Sequence, residues 1–200
     1  IKDKEINKSP EKTERYLNII TEENRRLGTQ IEKVLQIAKL EKGDLNLNFE
    51  PIDINEVLDQ VVKNQSVQME QFGVKLNLDL QAEESIVSAD RVHLTNIFFN
   101  LMDNAIKYSK EKPEITIATN NSDKGLILKI SDKGIGIPKD QLNKIFEKFY
   151  RVPKGDLHDV KGFGLGLSYV KNMVEMHNGT ISVNSKIGEG TDFSVLLPLA

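Results

Sequence analysis

The chain has 200 residues, of which 38% are hydrophobic and 28% are charged, and its formal net charge is −3. This length suits one domain with an additional element, and the apolar content is sufficient for a hydrophobic core. The negative charge disfavours nucleic acid as a partner, and the absence of cysteine excludes disulfides and thiolate metal sites.

The N-terminal part of the sequence predicts one long helix, over about residues 10–42. Ser9 suits the N-cap, and Pro10 suits the first helical position. The pattern of a heptad seam, with steps of three and four, then follows, in which Asn24 fills the gap between apolar positions at Leu17, Ile20, Leu27, Ile31, Val34 and Ala38. Such a seam requires a partner helix, and the sequence contains no second helix of this kind. Packing of the helix on its own domain is the alternative.

Alternating apolar residues and turn signals divide the rest of the chain into shorter elements. The predicted strands are 45–49, 74–80, 86–88, 115–117, 126–130, 180–185 and 192–197. The predicted helices are 54–72, a helix capped by Asp90, 141–149 and 165–177. Because hairpins alternate with helices, we expect an α+β fold in which a mixed sheet carries its helices on one face.

The predicted helix after Asp90 carries a polar stripe. Asn96, Asn100 and Asn104 recur at i, i+4 and i+8, and Lys107 follows, so all four side chains lie on one face. Asparagine is a poor helix former, so three in one stripe require a reason. Amide oxygens are ligands that Mg²⁺ accepts beside substrate phosphates, and lysine supplies charge for those phosphates. The stripe predicts the floor of a metal–nucleotide site; a solvated face is the alternative.

A predicted strand ends at Asp132 and continues into a glycine loop. The ionised carboxylate of Asp132 can only accept hydrogen bonds, which suits an amino group such as that of adenine. Gly134 and Gly136 permit close approach of a ligand to the backbone. A glycine turn with an aspartate cap is the alternative interpretation.

A second glycine segment, residues 162–168, opens the predicted helix 165–177. Helix N-termini present free N–H groups to phosphate, and the segment matches neither the dinucleotide-binding fingerprint nor the P-loop. Residues 151–161, which separate the two glycine segments, are polar and weakly periodic. We expect them to form a lid that becomes ordered around nucleotide; a plain surface loop is the alternative.

Five motifs occur in the order typical of sensor histidine kinases of two-component systems. They are similar to the N, G1, F, G2 and G3 boxes of that family and read Asn100-x-x-x-Asn104-Ala-x-Lys107-Tyr108, Asp132-x-Gly134-x-Gly136-Ile137, Phe146-x-x-Phe149-x-Arg151, Gly162-x-Gly164-Leu165-Gly166-Leu167 and Gly188-x-Gly190-Thr191. Each box alone is weak evidence, whereas five in order are highly specific. Residues 45–200 thus resemble the catalytic domain, and the long helix resembles the second helix of the dimerisation and phosphotransfer hairpin.

The resemblance implies a Bergerat-type fold of the GHKL superfamily, with a mostly antiparallel mixed sheet and a preceding coiled-coil-like helix. Residues 1–43 would belong to the dimerisation and phosphotransfer region, and residues 44–200 would form the catalytic, ATP-binding domain. The implied activity is that of an ATP-dependent protein-histidine kinase, which uses Mg²⁺ and transfers the γ-phosphoryl group of ATP to a histidine.

The matching positions imply the roles of individual residues. Asn104 would bind Mg²⁺ through its amide oxygen, with Asn100 supporting the metal and phosphates. Lys107 and Tyr108 would contact the nucleotide, and Asp132 would accept from the adenine amine. The remaining implied contacts, in which the two lysines are included for their charge alone, are Gly134, Gly136, Ile137, Arg151, Lys154, Lys161, Gly162, Gly164, Leu165, Gly166 and Thr191.

The phosphoacceptor of the family lies in an H-box on the first helix of the hairpin, and none of the three histidines of this chain fits that motif. We interpret His93 as structural, His158 as solvent-facing and His177 as a cation at a helix C-terminus. We therefore expect the phosphoacceptor helix to be absent from this chain, and no self-phosphorylation.

The partners that the resemblance implies are ATP, a response-regulator receiver protein, the missing phosphotransfer helix and, in the intact protein, a second copy. No run of 18 apolar residues or signal peptide occurs, so we expect a soluble piece. The resemblance implies that it is the cytoplasmic domain of a membrane-anchored sensor kinase.

The sequence disfavours two other classes of function. ATPases of the same superfamily, such as gyrase-like and chaperone ATPases, place a glutamate as general base four residues before the metal-binding asparagine. Asn100 occupies that position and cannot take a proton, which disfavours a hydrolase. A nucleotide-free interaction module is disfavoured because suitable residues fill all the binding positions.

Overall fold

A computed structural model describes residues 11–21, 23–24, 28, 31, 45–109, 112–152 and 163–200. The chain divides into two compact units, Ile1–Asn46 and Leu47–Ala200. In the first unit, residues 11–21 form helix α1, and residues 23–24, 28 and 31 are also helical. The other positions of the predicted long helix, including Leu27, Val34 and Ala38, lie outside the described residues.

In the described part of the second unit lie the sheets and three further helices. In chain order its elements are β1 (Glu50–Asp53), α2 (Ile54–Phe72), β2 (Lys75–Leu80), β3 (Ile86–Ala89), α3 (Arg91–Lys107), β4 (Glu114–Ser122), β5 (Gly125–Asp132), α4 (Gly166–Met176), β6 (Thr180–Lys186) and β7 (Gly190–Leu197). A short 3₁₀ turn, Lys139–Gln141, lies between β5 and α4.

The strands form two sheets. β1 pairs with β3 in a small antiparallel sheet, and the main sheet has the order β2-β4-β5-β7-β6. Only β2 and β4 run parallel, and the other neighbours in the main sheet are antiparallel. This arrangement confirms the expected α+β fold with a mixed, mostly antiparallel sheet.

One face of the main sheet forms the core. In β4, β5 and β7 the buried residues alternate with partly exposed ones, as in a sheet covered on a single side. The buried members are the aliphatic and aromatic residues Ile115, Ile117, Leu126, Leu128, Ile130, Phe193, Val195 and Leu197. The opposite half of the core comes from the apolar sides of α2, α3 and α4, so the helices lie on one face of the sheet.

Capping residues fix both ends of α2 and the start of α3, where the predicted cap Asp90 is confirmed. The Asp53 carboxylate accepts the Asn55 N–H at the start of α2, and Gly73 ends that helix in a left-handed conformation with φ of 61°. Asp90 accepts the N–H groups of Val92 and His93 at 3.0 and 3.1 Å and thereby fixes the start of α3.

Two predicted elements are wrong. Residues 45–49 are not a strand: the N–H of Asn48 donates to the Asp90 carboxylate at 2.9 Å, and the strand begins at Glu50. Residues 141–149 are not an α-helix, because most of their backbone hydrogen bonds, such as Lys144 N–H to Gln141 O at 2.9 Å, span three residues. A segment this short forms successive 3₁₀-like turns, since its few helical bonds do not offset the cost of nucleation.

Candidate functional site

The asparagine stripe of α3 lies against the start of α4. Asn100 is 8% exposed, and its Nδ2 donates to the Asn96 carbonyl at 2.7 Å. This bond fixes which end of the amide carries the oxygen. A Cβ atom placed on Gly166, the first residue of α4, would lie 3.0 Å from Asn100 Oδ1. The absence of a side chain at position 166 thus lets the N-box helix and the G2 segment meet.

The C-terminal turn of α3 carries Asn104, Lys107 and Tyr108. Asn104 is partly buried, and its carbonyl accepts the Tyr108 N–H at 3.0 Å. Lys107 is exposed, and its Nζ lies 2.5 Å from the carboxylate of Asp103, one turn earlier. The lysine predicted to contact phosphate is therefore paired with an acid on its own helix, and a phosphate would have to compete with that carboxylate.

Tyr108 contacts the loop that follows β5. The Ile135 N–H donates to the Tyr108 carbonyl at 3.0 Å. A Cβ atom on Gly134 would lie 2.3 Å from that same carbonyl oxygen, which is closer than such atoms approach. Glycine at position 134 is therefore required for the N box and the G1 box to contact each other.

Asp132, at the end of β5, is held by backbone donors. Its Oδ1 accepts the Gly134 N–H at 2.8 Å, and its carboxylate also accepts the N–H of Thr191. Burial nevertheless raises the pKa of Asp132 to about 6, against these two hydrogen bonds. A carboxylate in such a dry position is strengthened as a hydrogen-bond acceptor for a ligand that enters the pocket.

The β6–β7 hairpin forms the other side of the G1 loop. The Ile137 N–H donates to Ser185 Oγ at 2.8 Å, and the Gly188 N–H donates to the Ile135 carbonyl at 2.8 Å. Thr191 is 6% exposed and lies opposite Asp132 in the β5–β7 register. The G1 and G3 boxes are therefore one connected structure.

The F-box segment is joined to the G2 segment. Phe146 packs edge-on against Phe193 of β7, with ring centroids 6.5 Å apart. The Phe149 N–H donates to the Gly164 carbonyl at 2.9 Å, and Leu165 is buried next to it. Arg151 is exposed at the edge of the described part of this segment. The predicted contacts Lys154, Lys161 and Gly162, and most of the predicted lid 151–161, lie outside the described residues.

Two of the three histidines, His177 and His93, have structural roles. His177 is 2% exposed, and its Nδ1 donates to the Met173 carbonyl at 2.7 Å while its Nε2 accepts the Asp90 N–H at 3.0 Å. One donor and one acceptor define a neutral imidazole, so the interpretation of His177 as a cation is wrong. His158 lies outside the described residues.

His93 belongs to a second polar contact between α3 and α4. Its Nδ1 lies 2.8 Å from the Tyr169 hydroxyl, which also bonds the side chain of Asn96. Burial lowers the pKa of His93 below its ordinary value and raises the pKa of Tyr169 to about 12. Sequence analysis missed Tyr169, because on an amphipathic helix a tyrosine has the same pattern as a core residue.

The fold and this meeting of motifs define an ATPase domain in which an asparagine-bearing helix faces two glycine loops. The chain belongs to the histidine kinase-, DNA gyrase B-, and HSP90-like ATPase family, whose model matches residues 89–200. Among the residues that the structure describes, no three His, Cys, Asp or Glu side chains are grouped to hold a metal ion.

Relatives place the domain among sensor histidine kinases. The sensor protein RprX of Bacteroides fragilis (strain YCH46) is 41% identical over 201 residues, which cover 100% of this chain and 39% of RprX. Full-length ShkA in complex with AMPPNP has a TM-score of 0.81 and 26% identity over 96% of this chain and 40% of that one. The histidine kinase ThkA in complex with the response regulator TrrA has a TM-score of 0.75 and 25% identity, covering 96% of this chain and 53% of that one.

The chain is therefore a histidine kinase-type ATPase catalytic domain, as its five boxes predicted, and it spans 39% of the length of RprX. No described helix combines the length and the apolar character that a membrane span requires.

Proposed function

We propose that this chain binds Mg-ATP and transfers the γ-phosphoryl group to a histidine outside the chain, on the phosphotransfer helix of a sensor kinase. The observation that carries this proposal is the close approach of Asn100 Oδ1 to the start of α4, where a Cβ atom at position 166 would lie 3.0 Å from that oxygen. This approach supports a shared site for the amide stripe and the N–H groups at the start of α4, as a metal–phosphate group requires.

The residues that line this pocket fit Mg²⁺ and phosphate. Asn104 and Asn100 offer neutral amide oxygens, which are hard ligands for Mg²⁺, and Asn100 is fixed by its bond to Asn96. We infer that Asn104 holds the ion and that Asn100 supports it. Mg²⁺, when bound, would neutralise charge on the phosphates during transfer. The chain itself contributes orientation and backbone donors.

The base would lie between the G1 loop and the β6–β7 hairpin. Asp132 would accept there, and Gly134 and Gly136 let the G1 loop pack closely on the backbone of Tyr108 and Lys186. In the proposed transfer, an imidazole nitrogen of the external histidine attacks the γ-phosphorus, the bond to the bridging oxygen breaks, and ADP leaves. Since the domain positions the nucleotide and contributes no nucleophile, correct placement of the histidine decides the rate.

The partners and cellular setting follow from the same proposal. ThkA has been solved with its response regulator, which supports a receiver protein as the next phosphoryl acceptor in this system. We further propose that residues 1–43 belong to a dimerisation and phosphotransfer region, that the intact protein is a homodimer, and that this domain is the cytoplasmic part of a membrane-anchored sensor.

Hydrolysis of ATP is the competing function. The position of a general base is occupied by Asn100, whose Nδ2 is bonded to Asn96 O, and an amide cannot accept a proton from water. This favours phosphoryl transfer over hydrolysis.

The test is incubation with radiolabelled ATP and Mg²⁺, followed by an alkaline gel that preserves phosphohistidine. We expect no label on this chain alone, and label on an added protein that carries a sensor-kinase phosphoacceptor hairpin. Asn104→Ala serves as the inactive control. Label on this chain alone, mapped to His93, His158 or His177, would contradict the external acceptor. Release of inorganic phosphate without any protein label would identify a hydrolase.

A further inference from the structure

Three polar side chains form a row across β5, β7 and β6, which are neighbours in the main sheet. In the strand register Asp132 lies opposite Thr191, and Thr191 lies opposite Ser185. Directly opposite residues project from the same face of a sheet. Ser185 thus belongs to the same face as the proposed base-reading carboxylate, although it is part of none of the five boxes.

The Ser185 hydroxyl makes three hydrogen bonds. Its Oγ accepts the Ile137 N–H at 2.8 Å, donates to the Gly190 carbonyl at 2.7 Å, and lies 2.9 Å from Thr191 Oγ1. It therefore joins the G1 loop to both residues that end the G3 box.

Counting hydrogens fixes the direction of the bond between the two hydroxyls. Ser185 has a single hydroxyl hydrogen, and the Gly190 carbonyl, which can only accept, takes it. The Thr191 hydroxyl must then donate its own hydrogen to Ser185 Oγ. Thr191 Oγ1 is left with lone pairs alone for any further partner.

Asp132, like Thr191 Oγ1, can only accept hydrogen bonds from a ligand. When ionised, its carboxylate offers only acceptors, two of which are used by the Gly134 and Thr191 N–H groups. Asp132 and Thr191 are also adjacent across the sheet. A ligand edge that meets both must supply N–H donors.

We propose that Ser185 is a specificity-determining positioning residue: by holding the Thr191 hydroxyl as an acceptor beside Asp132, it favours a base with an exocyclic amine and disfavours one with a carbonyl there. The inference rests on the proposed nucleotide-binding function and concerns the same base pocket. The role of Ser185 is indirect, since it acts through the orientation of another hydroxyl.

The test compares the calorimetric affinities of the whole chain for Mg-ATP and for Mg-ITP, whose base carries a carbonyl oxygen in place of the amine. The native chain should prefer ATP. In Ser185→Ala the Thr191 hydroxyl is free to rotate and donate to a carbonyl. The ratio of the ITP to the ATP dissociation constant should then fall by about tenfold, equivalent to about 1.4 kcal/mol.

Two variants separate orientation from general loosening. Ser185→Thr retains the hydroxyl and should retain the native ratio. Ser182→Ala makes the matched change at an exposed position of β6, on the opposite face, and should change neither affinity. If Ser185→Ala fails to fold, Ser185→Cys keeps the size of the side chain with a weaker donor and acceptor, and should lower the ratio less strongly.

The outcomes are distinct. An equal loss of affinity for both nucleotides in Ser185→Ala or Ser185→Cys, with the ratio unchanged, would assign Ser185 a purely structural role and overturn the inference. If the native chain binds ATP well while the variants leave the ratio unchanged, only the inference about Ser185 fails and the proposed function stands. A native chain that binds neither nucleotide would remove the proposed function, and the inference with it.

Discussion

At the scale of single residues, Asn104 carries the strongest expectation. Its amide is partly buried on the stripe of α3, and a neutral oxygen ligand cannot be replaced by a methyl group. Asn104→Ala should abolish Mg²⁺-dependent nucleotide binding and leave the unfolding midpoint within a few degrees of the native value, since alanine favours helix. Calorimetry with a Mg-ATP analogue measures the first, and circular dichroism measures the second.

The control for this substitution is Asn64→Ala, which makes the same change at an exposed position of α2 and should leave binding intact. Unchanged affinity in Asn104→Ala would remove that residue from the metal site.

Asp132 makes the stability of the domain depend on pH. Its pKa is raised to about 6 in the folded chain, so the folded state binds the proton more tightly than the unfolded state. The associated stabilisation is complete below the ordinary pKa of 3.8 and is lost as the pH rises through about 6. Asp132→Asn removes this dependence, so the variant should gain at most about 3 kcal/mol relative to the native chain between about pH 4 and pH 7.

Urea unfolding of both chains across that range measures the difference. Parallel curves of unfolding free energy against pH would contradict a raised pKa. The same variant should bind ATP more weakly at neutral pH, because an amide is a poorer acceptor than a carboxylate.

The sequence predicted at this scale which segments meet, because five boxes in order are specific although each alone is weak: Asn100 lies next to Gly166, and Tyr108 lies next to Gly134. The ligand contacts of these residues stay predictions. Ser185 could not be predicted, since its role depends on the register of β6, β7 and β5, and a serine in an alternating strand has no distinguishing pattern. The neutral form of His177 could not be predicted either, because its Nε2 accepts a hydrogen bond from the N–H of Asp90, 87 positions away in the sequence.

At the scale of elements, a substitution at the junction of α3 and α4 should weaken nucleotide binding while leaving folding intact. Gly166→Ala places a methyl group 3.0 Å from Asn100 Oδ1, so the amide must shift by a few tenths of an ångström against its bond to Asn96, while alanine favours the helix by up to about 1 kcal/mol. The variant should fold with near-native stability and bind Mg-nucleotide at least about tenfold more weakly. Equilibrium unfolding and calorimetry on the same sample test both parts.

Gly134→Ala is the contrasting change, because its methyl group meets the Tyr108 backbone oxygen at 2.3 Å. It should lower the unfolding free energy by about 2 kcal/mol or more, a typical cost of overpacking. Equal stability of the two variants would contradict this distinction.

The elements themselves were predictable where periodicity agreed with tertiary packing. β5 and α3 followed their sequence patterns, since each has one buried face. Residues 45–49 alternate equally well, but the N–H of Asn48 bonds a side chain and no strand forms. Alternation describes which side chains could be buried, and it does not specify whether a partner strand is present.

At the scale of the whole molecule, α1 predicts self-association. Tyr16, Leu17, Ile19 and Ile20 are 45–50% exposed, and contiguous apolar side chains of this kind mark interaction surfaces. Sedimentation velocity should show dimers or larger species for the native chain, and monomer for Leu17→Gln combined with Ile20→Gln.

Asn18→Gln, an exposed change on the same helix, should leave the association unchanged. A monomeric native chain at concentrations of about 100 μM would contradict the prediction, since an interface of useful size binds more tightly than that.

The two close contacts at Gly134 and Gly166 also differ in how the effect of a substitution could be reverted. The neighbour of Gly166 is the Asn100 side chain, which can shift, so Gly166→Ala needs no second change to fold, and a smaller residue at position 100 would remove an amide that the proposed function uses. The neighbour of Gly134 is a peptide oxygen, which every residue at position 108 would retain. Selection for a stably folded chain should therefore return glycine at position 134 from Gly134→Ala, whereas only selection for nucleotide binding should return glycine at position 166 from Gly166→Ala, with Asn100 unchanged.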